Sequence, residues 1–172
     1  CDWSSDVCSS DLTQLVHGGA LRSHFGELSE ALFLTKSFAY PTMEAAEARF
    51  KGEDPGFIYS RFSNPTVAMF EQRMYLLEGA EAARATASGM AAVTASMLAQ
   101  LKAGDHVVAA RALFGSCLYV VENLLPQLGV ATTLVEGADL AKWKEAVRKE
   151  TKIFFLESPT NPGLEIYDIQ AI

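Results

Sequence analysis

The chain has 172 residues, enough for one domain with a hydrophobic core. Its 49% hydrophobic and 20% charged residues, with 12 Gly and 6 Pro, form a globular composition and exclude the disordered, collagen-like and disulfide-scaffold classes. Fourteen Lys and Arg against 21 Asp and Glu leave a formal charge of -7, which repels nucleic-acid phosphates and anionic membranes, so neither is expected as a partner.

No window approaches about 18 consecutive apolar residues, and the N-terminus lacks a basic start followed by an apolar stretch. The expected compartment is therefore the cytoplasm. The first twelve residues, CDWSSDVCSSDL, differ from the rest: they repeat Ser-Ser-Asp, carry two of the three cysteines and three aspartates, and contain no base. An acidic tail and a Cys1–Cys8 disulfide loop are two readings of them. The third, which fits best, is the conceptual translation of a sequencing adapter fused to a real reading frame, so residues 1–12 are set aside as non-native. Without them the acids fall from 21 to 18, the charge from -7 to -4, and Cys117 is the sole cysteine. One thiol supports no disulfide framework and no zinc site, and no metal is expected.

Residues 13–57 read as irregular, broken by Gly18-Gly19, Gly26, Pro41, Gly52 and Asp54-Pro55-Gly56, with one short helix over 42–50. Asn64-Pro65 opens a helix over 65–77 and Glu78-Gly79 closes it. Beyond residue 80 two periods alternate. Strands are predicted over 82–87, 106–110, 130–135 and 153–157, and helices over 89–101, 115–128 and 140–149. This order predicts the α/β class, with right-handed crossovers and a mostly parallel sheet covered on both faces. Lys102-Ala103-Gly104-Asp105 is a turn into a buried strand. Residues 167–172 look like the first turn of a further helix, so the sequence is expected to be a fragment with an unpaired sheet edge.

Ligands of open α/β sheets sit at the carboxyl ends of the strands. Ala87-Ser88-Gly89-Met90 lies at such a place, and its small residues let helix N-terminal amides approach an anion, phosphate above all, although small residues also make tight turns in any such fold. Neither G-x-G-x-x-G nor G-x-x-x-x-G-K-[ST] occurs. Glu157-Ser158-Pro159-Thr160-Asn161-Pro162 ends an apolar strand in a rigid turn carrying a carboxylate and an amide. In Tyr59-Ser60-Arg61-Phe62-Ser63-Asn64-Pro65-Thr66, Tyr59 and Arg61 share a side if the run is extended, and Arg61 offers the fork geometry that suits phosphate.

Taken in order, YSRFSNPT, ASGMAA, ALFGSC and FFLESPTNP resemble the Cys/Met-metabolism family of pyridoxal-phosphate enzymes, and the likeness runs from about Thr13 to Ile172. It implies pyridoxal 5'-phosphate as cofactor and the first part of a fold type I, aspartate-aminotransferase-like large domain over 61–172, preceded by an extended arm over 13–60. It also implies a homo-oligomer, a homotetramer for the parent enzyme, with active sites shared between subunits. Tyr59 and Arg61 would bind the cofactor phosphate of the neighbouring subunit. Gly89 and Met90 would bind phosphate through backbone amides, with Ser88 shaping the turn. Phe114 stands where many lyases of the family stack a tyrosine on the pyridine ring; it keeps the stacking and loses the hydroxyl. Asn161 would hydrogen-bond near the cofactor's 3'-oxygen or the substrate carboxylate, and Glu157 would support the site.

Within the family, LFGSC with FFLESPTNP looks most like the sulfhydrylases of O-succinylhomoserine, which implies a homoserine ester and sulfide as substrates and homocysteine, on the route to methionine, as product. Cystathionine γ-synthase and methionine γ-lyase are the alternatives within the family; a non-catalytic phosphate-binding or oligomerisation module is the alternative outside it. The family's chemistry requires an aspartate on the pyridine nitrogen and a Schiff-base lysine, both beyond the E-S-P-T-N-P segment. None of the seven lysines is placed for that role, so no catalytic residue is assigned and the 172-residue chain is expected to be inactive. His106 reads as a satisfied scaffold residue, Cys117 as a buried structural thiol, and His17 as a packing residue of the arm.

Overall fold

A computed structural model describes residues 11–172, so residues 1–10 of the expected adapter translation lie outside the described residues. The chain divides into two compact units, Cys1–Ala85 and Thr86–Ile172.

In the first unit, helix α2 (Met43–Lys51) starts where predicted: the Thr42 hydroxyl accepts from the Ala45 amide, and Gly52 closes the helix in the left-handed region. Helix α3 (Pro65–Glu78) likewise takes Asn64 as its cap, Pro65 in its first turn and Gly79 at φ 62° as its stop. The reading of 13–57 as irregular apart from one helix needs correcting, because Asp11–His17 form helix α1. Seven residues are too few to show a period. After α1, a Cβ on Gly19 would lie 2.8 Å from Cβ of Gln72 in α3, so glycine permits a close approach of the two segments. Arg73 of α3 reinforces it by donating to the Gly18 carbonyl at 3.2 Å and pairing with Glu30. The rest of the arm is held by individual bonds: Phe33 N–H to Thr66 Oγ1 at 2.9 Å, Ser60 N–H to the Lys36 carbonyl at 2.9 Å, and an antiparallel bridge between Ser37 and Tyr59.

The strand predicted over 82–87 is absent, and the segment is irregular. Its alanines supply little side chain to pack, and its backbone donor at Ala85 is taken by the Glu71 carboxylate of α3 at 2.8 Å instead of a neighbouring strand.

The second unit runs α4 (Gly89–Leu98), β1 (His106–Ala110), α5 (Gly115–Tyr119), a π-helical turn (Val120–Leu124), α6 (Leu125–Gln127), β2 (Ala131–Val135), α7 (Leu140–Ala146) and β3 (Thr151–Phe155). The three strands are parallel in the order β2-β1-β3, with His106 beside Ala131 and Val107 beside both Thr132 and Ile153. The α/β architecture with a parallel sheet therefore stands. Central β1 is buried along its whole length and divides its side chains by the period of two. Val107 and Ala109 face a core with Met97, Leu113, Val121 and Leu125; Val108 and Ala110 face a second with Val135, Trp143 and Tyr167. Helices cover both faces, as the pattern required.

Two helices stop earlier than predicted. α4 ends at Leu98, short of residue 101. α7 ends at Ala146, short of 149, because Val147 turns extended and Arg148 opens a turn in which its amide donates to Thr151 Oγ1 at 2.8 Å. The π-helical turn has a local cause. Pro126 has no N–H for the Glu122 carbonyl, and the Leu125 amide reaches back to Val120.

Candidate cofactor site

The carboxyl ends of β1 and β3 lie on one edge of the sheet, since the strands are parallel. Ser88 is the N-cap of α4; its hydroxyl accepts from the Ala91 amide at 3.1 Å. Of the first three amides of α4, which have no acceptor inside the helix, this leaves those of Gly89 and Met90 for another acceptor. Among the described residues, a Cβ built on Gly89 meets nothing within 4 Å, so the start of α4 is open on that side. Met90 is half-buried and receives the Cys117 thiol on its sulfur at 3.8 Å, which holds the start of α4 against α5.

Phe114 precedes α5 in the segment leaving β1 and is 45% exposed, an aromatic face open to a partner. Beyond β3, Glu157 is half-buried and its Oε1 accepts the Asn161 amide at 2.8 Å, while the Asn161 side chain is exposed. The peptide bonds before Pro159 and Pro162 are both cis. Ser88, Gly89, Met90, Phe114, Glu157 and Asn161 all belong to the second unit and flank its strand ends and helix starts.

Tyr59 and Arg61 belong to the first unit, and their segment is not extended, so the condition under which the two side chains share a side by alternation is not met. Residues 59–62 form a turn, with the Phe62 amide on the Tyr59 carbonyl at 2.8 Å. The turn still sets the two side chains together, the Arg61 guanidinium lying 4.9 Å from the Tyr59 ring centroid and 5.3 Å from that of Phe62. Asn64 fixes it by donating to Ser60 Oγ and to the Phe33 carbonyl, each at 2.9 Å. Among the described residues Arg61 has no carboxylate partner, and its charge is exposed.

Two residues resolve as scaffold. His106 is 1% exposed, with Nδ1 2.8 Å from Thr151 Oγ1 and Nε2 2.9 Å from Thr133 Oγ1, so one imidazole ties both outer strands to the central one. Burial, then the nearby Arg148 charge, pushes its pKa down, against a weaker opposing pull from Glu150. Cys117 is buried, and burial with the Glu157 charge raises its pKa, which suits a packing thiol and opposes thiolate chemistry.

Sequence reasoning missed three residues that shape the Glu157–Asn161 loop. Thr160 is 1% exposed; its amide donates to the Glu165 carbonyl at 3.0 Å and its Oγ1 accepts the Glu165 amide at 2.9 Å. Tyr167, read as part of a new helix, is buried against the sheet, and Gly137 receives its ring. No spacing in the chain links Gly137 with Tyr167, so only the tertiary contact finds them. Among the described residues, no group of three or more His, Cys, Asp or Glu side chains is disposed to hold a metal, and no helix is long and apolar enough to cross a membrane.

A family model described as Cys/Met metabolism PLP-dependent enzyme matches residues 12–172. The chain belongs to this family. Its cofactor is pyridoxal phosphate, and the groups present fit it: two helix N-terminal amides left over by the Ser88 cap, an exposed aromatic face, and an exposed amide side chain in the loop beyond β3. The chain is 50% identical to an O-succinylhomoserine sulfhydrylase of Mycobacterium tuberculosis over 95% of its own length and 40% of the relative's. It is 44% identical to one of Pseudomonas aeruginosa, over 99% and 44%, and 37% identical to an L-methionine gamma-lyase of Porphyromonas gingivalis, over 93% and 40%.

Among solved structures, a putative O-acetylhomoserine (thiol)-lyase of Campylobacter jejuni, which carries N'-pyridoxyl-lysine-5'-monophosphate, aligns with a TM-score of 0.86 at 28% identity, over 94% of this chain and 40% of that one. Cystathionine gamma-lyase of Lactobacillus plantarum aligns at 0.81 with 33% identity, over the same shares. The fold type I assignment follows from these alignments. The chain spans about 40% of the length of the relatives it matches.

Proposed function

We propose that the 172 residues are the phosphate-holding front part of a pyridoxal-phosphate-dependent O-succinylhomoserine sulfhydrylase, which exchanges the succinate of the ester for sulfide and yields homocysteine. The observation that carries the cofactor site is the pair of α4 amides at Gly89 and Met90 that the Ser88 cap leaves for another acceptor, at a helix start where, among the described residues, a Cβ on Gly89 would meet nothing within 4 Å. The gap between 50% identity to a sulfhydrylase and 37% to a γ-lyase supports the substrate assignment. Phe114, which has no hydroxyl to move a proton, supports it independently.

In this reading the Gly89 and Met90 amides donate to the phosphate, aided by the positive end of α4. Ser88 holds the turn by occupying the third amide. Phe114 stacks on the pyridine ring, and the Asn161 side chain donates to the ring oxygen or the substrate carboxylate while Glu157 fixes the backbone of Asn161. Tyr59 and Arg61 contact the phosphate of the neighbouring subunit in a homo-oligomer, a tetramer for the parent enzyme. When bound, the cofactor supplies an electron sink for bond breaking at the homoserine side chain. No lysine of the 172 residues is assigned to attach it, so this chain alone does not turn over.

The test uses the 172-residue chain with pyridoxal phosphate, O-succinylhomoserine and sulfide. Expected are no homocysteine, no single lysine labelled on borohydride reduction, and cofactor binding that inorganic phosphate displaces. Homocysteine or one labelled lysine refutes the assignment of inactivity, and binding that phosphate does not displace refutes the phosphate site.

A further inference from the structure

The ring of Tyr167 occupies a seat that only a glycine can provide. A Cβ on Gly137, in the turn between β2 and α7, would lie 2.2 Å from Cζ and 2.4 Å from Cε2 of that ring. The floor is fixed from below, since the Trp143 indole donates to the Gly137 carbonyl at 3.0 Å. Tyr167 is 4% exposed and packs with Val108, Ala110, Val135 and Trp143 on one face of the sheet.

From this seat Tyr167 reaches the loop after β3 at both ends. Its amide donates to Ser158 Oγ at 3.0 Å, and its hydroxyl donates to Glu165 Oε2 at 3.0 Å. Glu165 in turn exchanges two backbone contacts with buried Thr160, through its amide to Thr160 Oγ1 and its carbonyl to the Thr160 amide. Thr160 adjoins Asn161, whose amide rests on Glu157. An unbroken set of contacts thus runs from the core of the sheet to the two residues read as supporting the cofactor.

We propose that Tyr167, seated on Gly137, is the positioning residue of the Glu157–Asn161 loop. It acts through Ser158, Glu165 and Thr160 and touches no reacting group, and its value to the enzyme rests on the reading of Asn161 and Glu157 as cofactor-facing. The occupied seat fixes the backbone that carries Asn161 before any ligand arrives, which lowers the ordering cost of binding.

Amide hydrogen exchange on the 172-residue chain tests this, with the Val108 and Ala109 amides of β1 as internal reference. Gly137→Ala expels the ring, and the Thr160 and Glu165 amides are expected to exchange at least about tenfold faster while β1 is unchanged. Tyr167→Ala should match it. Tyr167→Phe keeps the ring seated and loses one bond, so protection should stay within about threefold of the parent. Unchanged loop exchange in Gly137→Ala, or an equal rise at β1, overturns the proposal, as does a Tyr167→Phe variant that behaves like Tyr167→Ala. The cofactor-site reading fails separately: it is refuted if pyridoxal phosphate leaves loop exchange unaltered in the parent chain while Gly137→Ala still raises it.

Discussion

Replacing Asn64 by alanine removes three hydrogen bonds at the junction between the arm and α3. Oδ1 accepts the Thr66 amide at 2.9 Å, and Nδ2 donates to the Phe33 carbonyl and to Ser60 Oγ, each at 2.9 Å, from a side chain that is 8% exposed. Loss of an N-cap costs about 1 kcal/mol. Each of the two acceptors left without its donor costs about 1 kcal/mol more. The sum, about 3 kcal/mol, lowers the folded-to-unfolded ratio by about two orders of magnitude. Asn64→Ser keeps a capping oxygen and loses the two donors, so its cost should be about 2 kcal/mol. The assay is urea unfolding followed by far-ultraviolet circular dichroism, with amide exchange in α3 to locate the effect. The reasoning is refuted if Asn64→Ala costs less than about 0.5 kcal/mol, or if Asn64→Ser is as damaging as alanine. Because Asn64 also holds Ser60, both variants should increase exchange at the Phe62 amide, the bond that closes the Tyr59–Phe62 turn.

Burial and Arg148 hold the His106 imidazole below its ordinary pKa, so the unfolded chain binds more protons than the folded one as pH falls through about 6.5. Stability should therefore decline on acidification from neutrality and level off below the folded pKa; urea midpoints between pH 5 and 8 check this, and His106→Gln should flatten the slope. The Tyr167 phenol is pushed up to about 12 by burial, with its bond to Glu165 adding to the shift. The folded chain then holds a proton that the unfolded chain releases near pH 10, and stability should fall as pH rises from about 10 towards 12, a loss that Tyr167→Phe abolishes. Gly89→Asp places a carboxylate in open space at the start of α4, where it complements the helix dipole; the melting temperature should hold or rise while phosphate-competable binding of pyridoxal phosphate is lost. Trp143→Ala empties a site that is 2% exposed and frees the Gly137 carbonyl, and should cost about 3–5 kcal/mol in denaturant unfolding.

What the sequence revealed depended on whether neighbours in the chain or neighbours in space supplied the cause. α3 was legible at both ends because Asn64, Pro65 and Gly79 act within a few residues of themselves. β1 was legible because a short run of apolar residues after a Gly-Asp turn can be satisfied only in a buried strand. The segment 82–87 has strand-like composition, but a strand requires a ladder, and Glu71 takes its amide at Ala85 instead. The Tyr59–Phe62 turn contains no glycine, proline or asparagine to announce it; bonds from Asn64 to Ser60 and Phe33 pin it to the arm. In the candidate site, the family's motifs picked out the residues at strand ends and helix starts. The seat that orients one of those segments escaped, because Gly137 and Tyr167 meet only after β2, α7 and β3 have assembled.

The glycines separate packing from ligand space. At Gly137 any side chain collides with the Tyr167 ring, so the fold itself demands glycine. At Gly89 and Gly115 a Cβ meets nothing within 4 Å among the described residues, and neither residue has a positive φ. A glycine in a helix is about 0.5–1 kcal/mol less favourable than alanine. Neither the conformation nor the packing of the described residues offsets that cost at the two positions. Both open helices, α4 directly after Ser88 and α5 directly after Phe114, and the starts of these helices meet through Met90 and Cys117. In the cofactor reading proposed above, glycines placed there keep backbone donors and an aromatic face accessible to a flat phosphorylated ring. A bulky residue at Gly115 that leaves stability intact but impairs pyridoxal phosphate binding would extend the same argument from the phosphate to the ring.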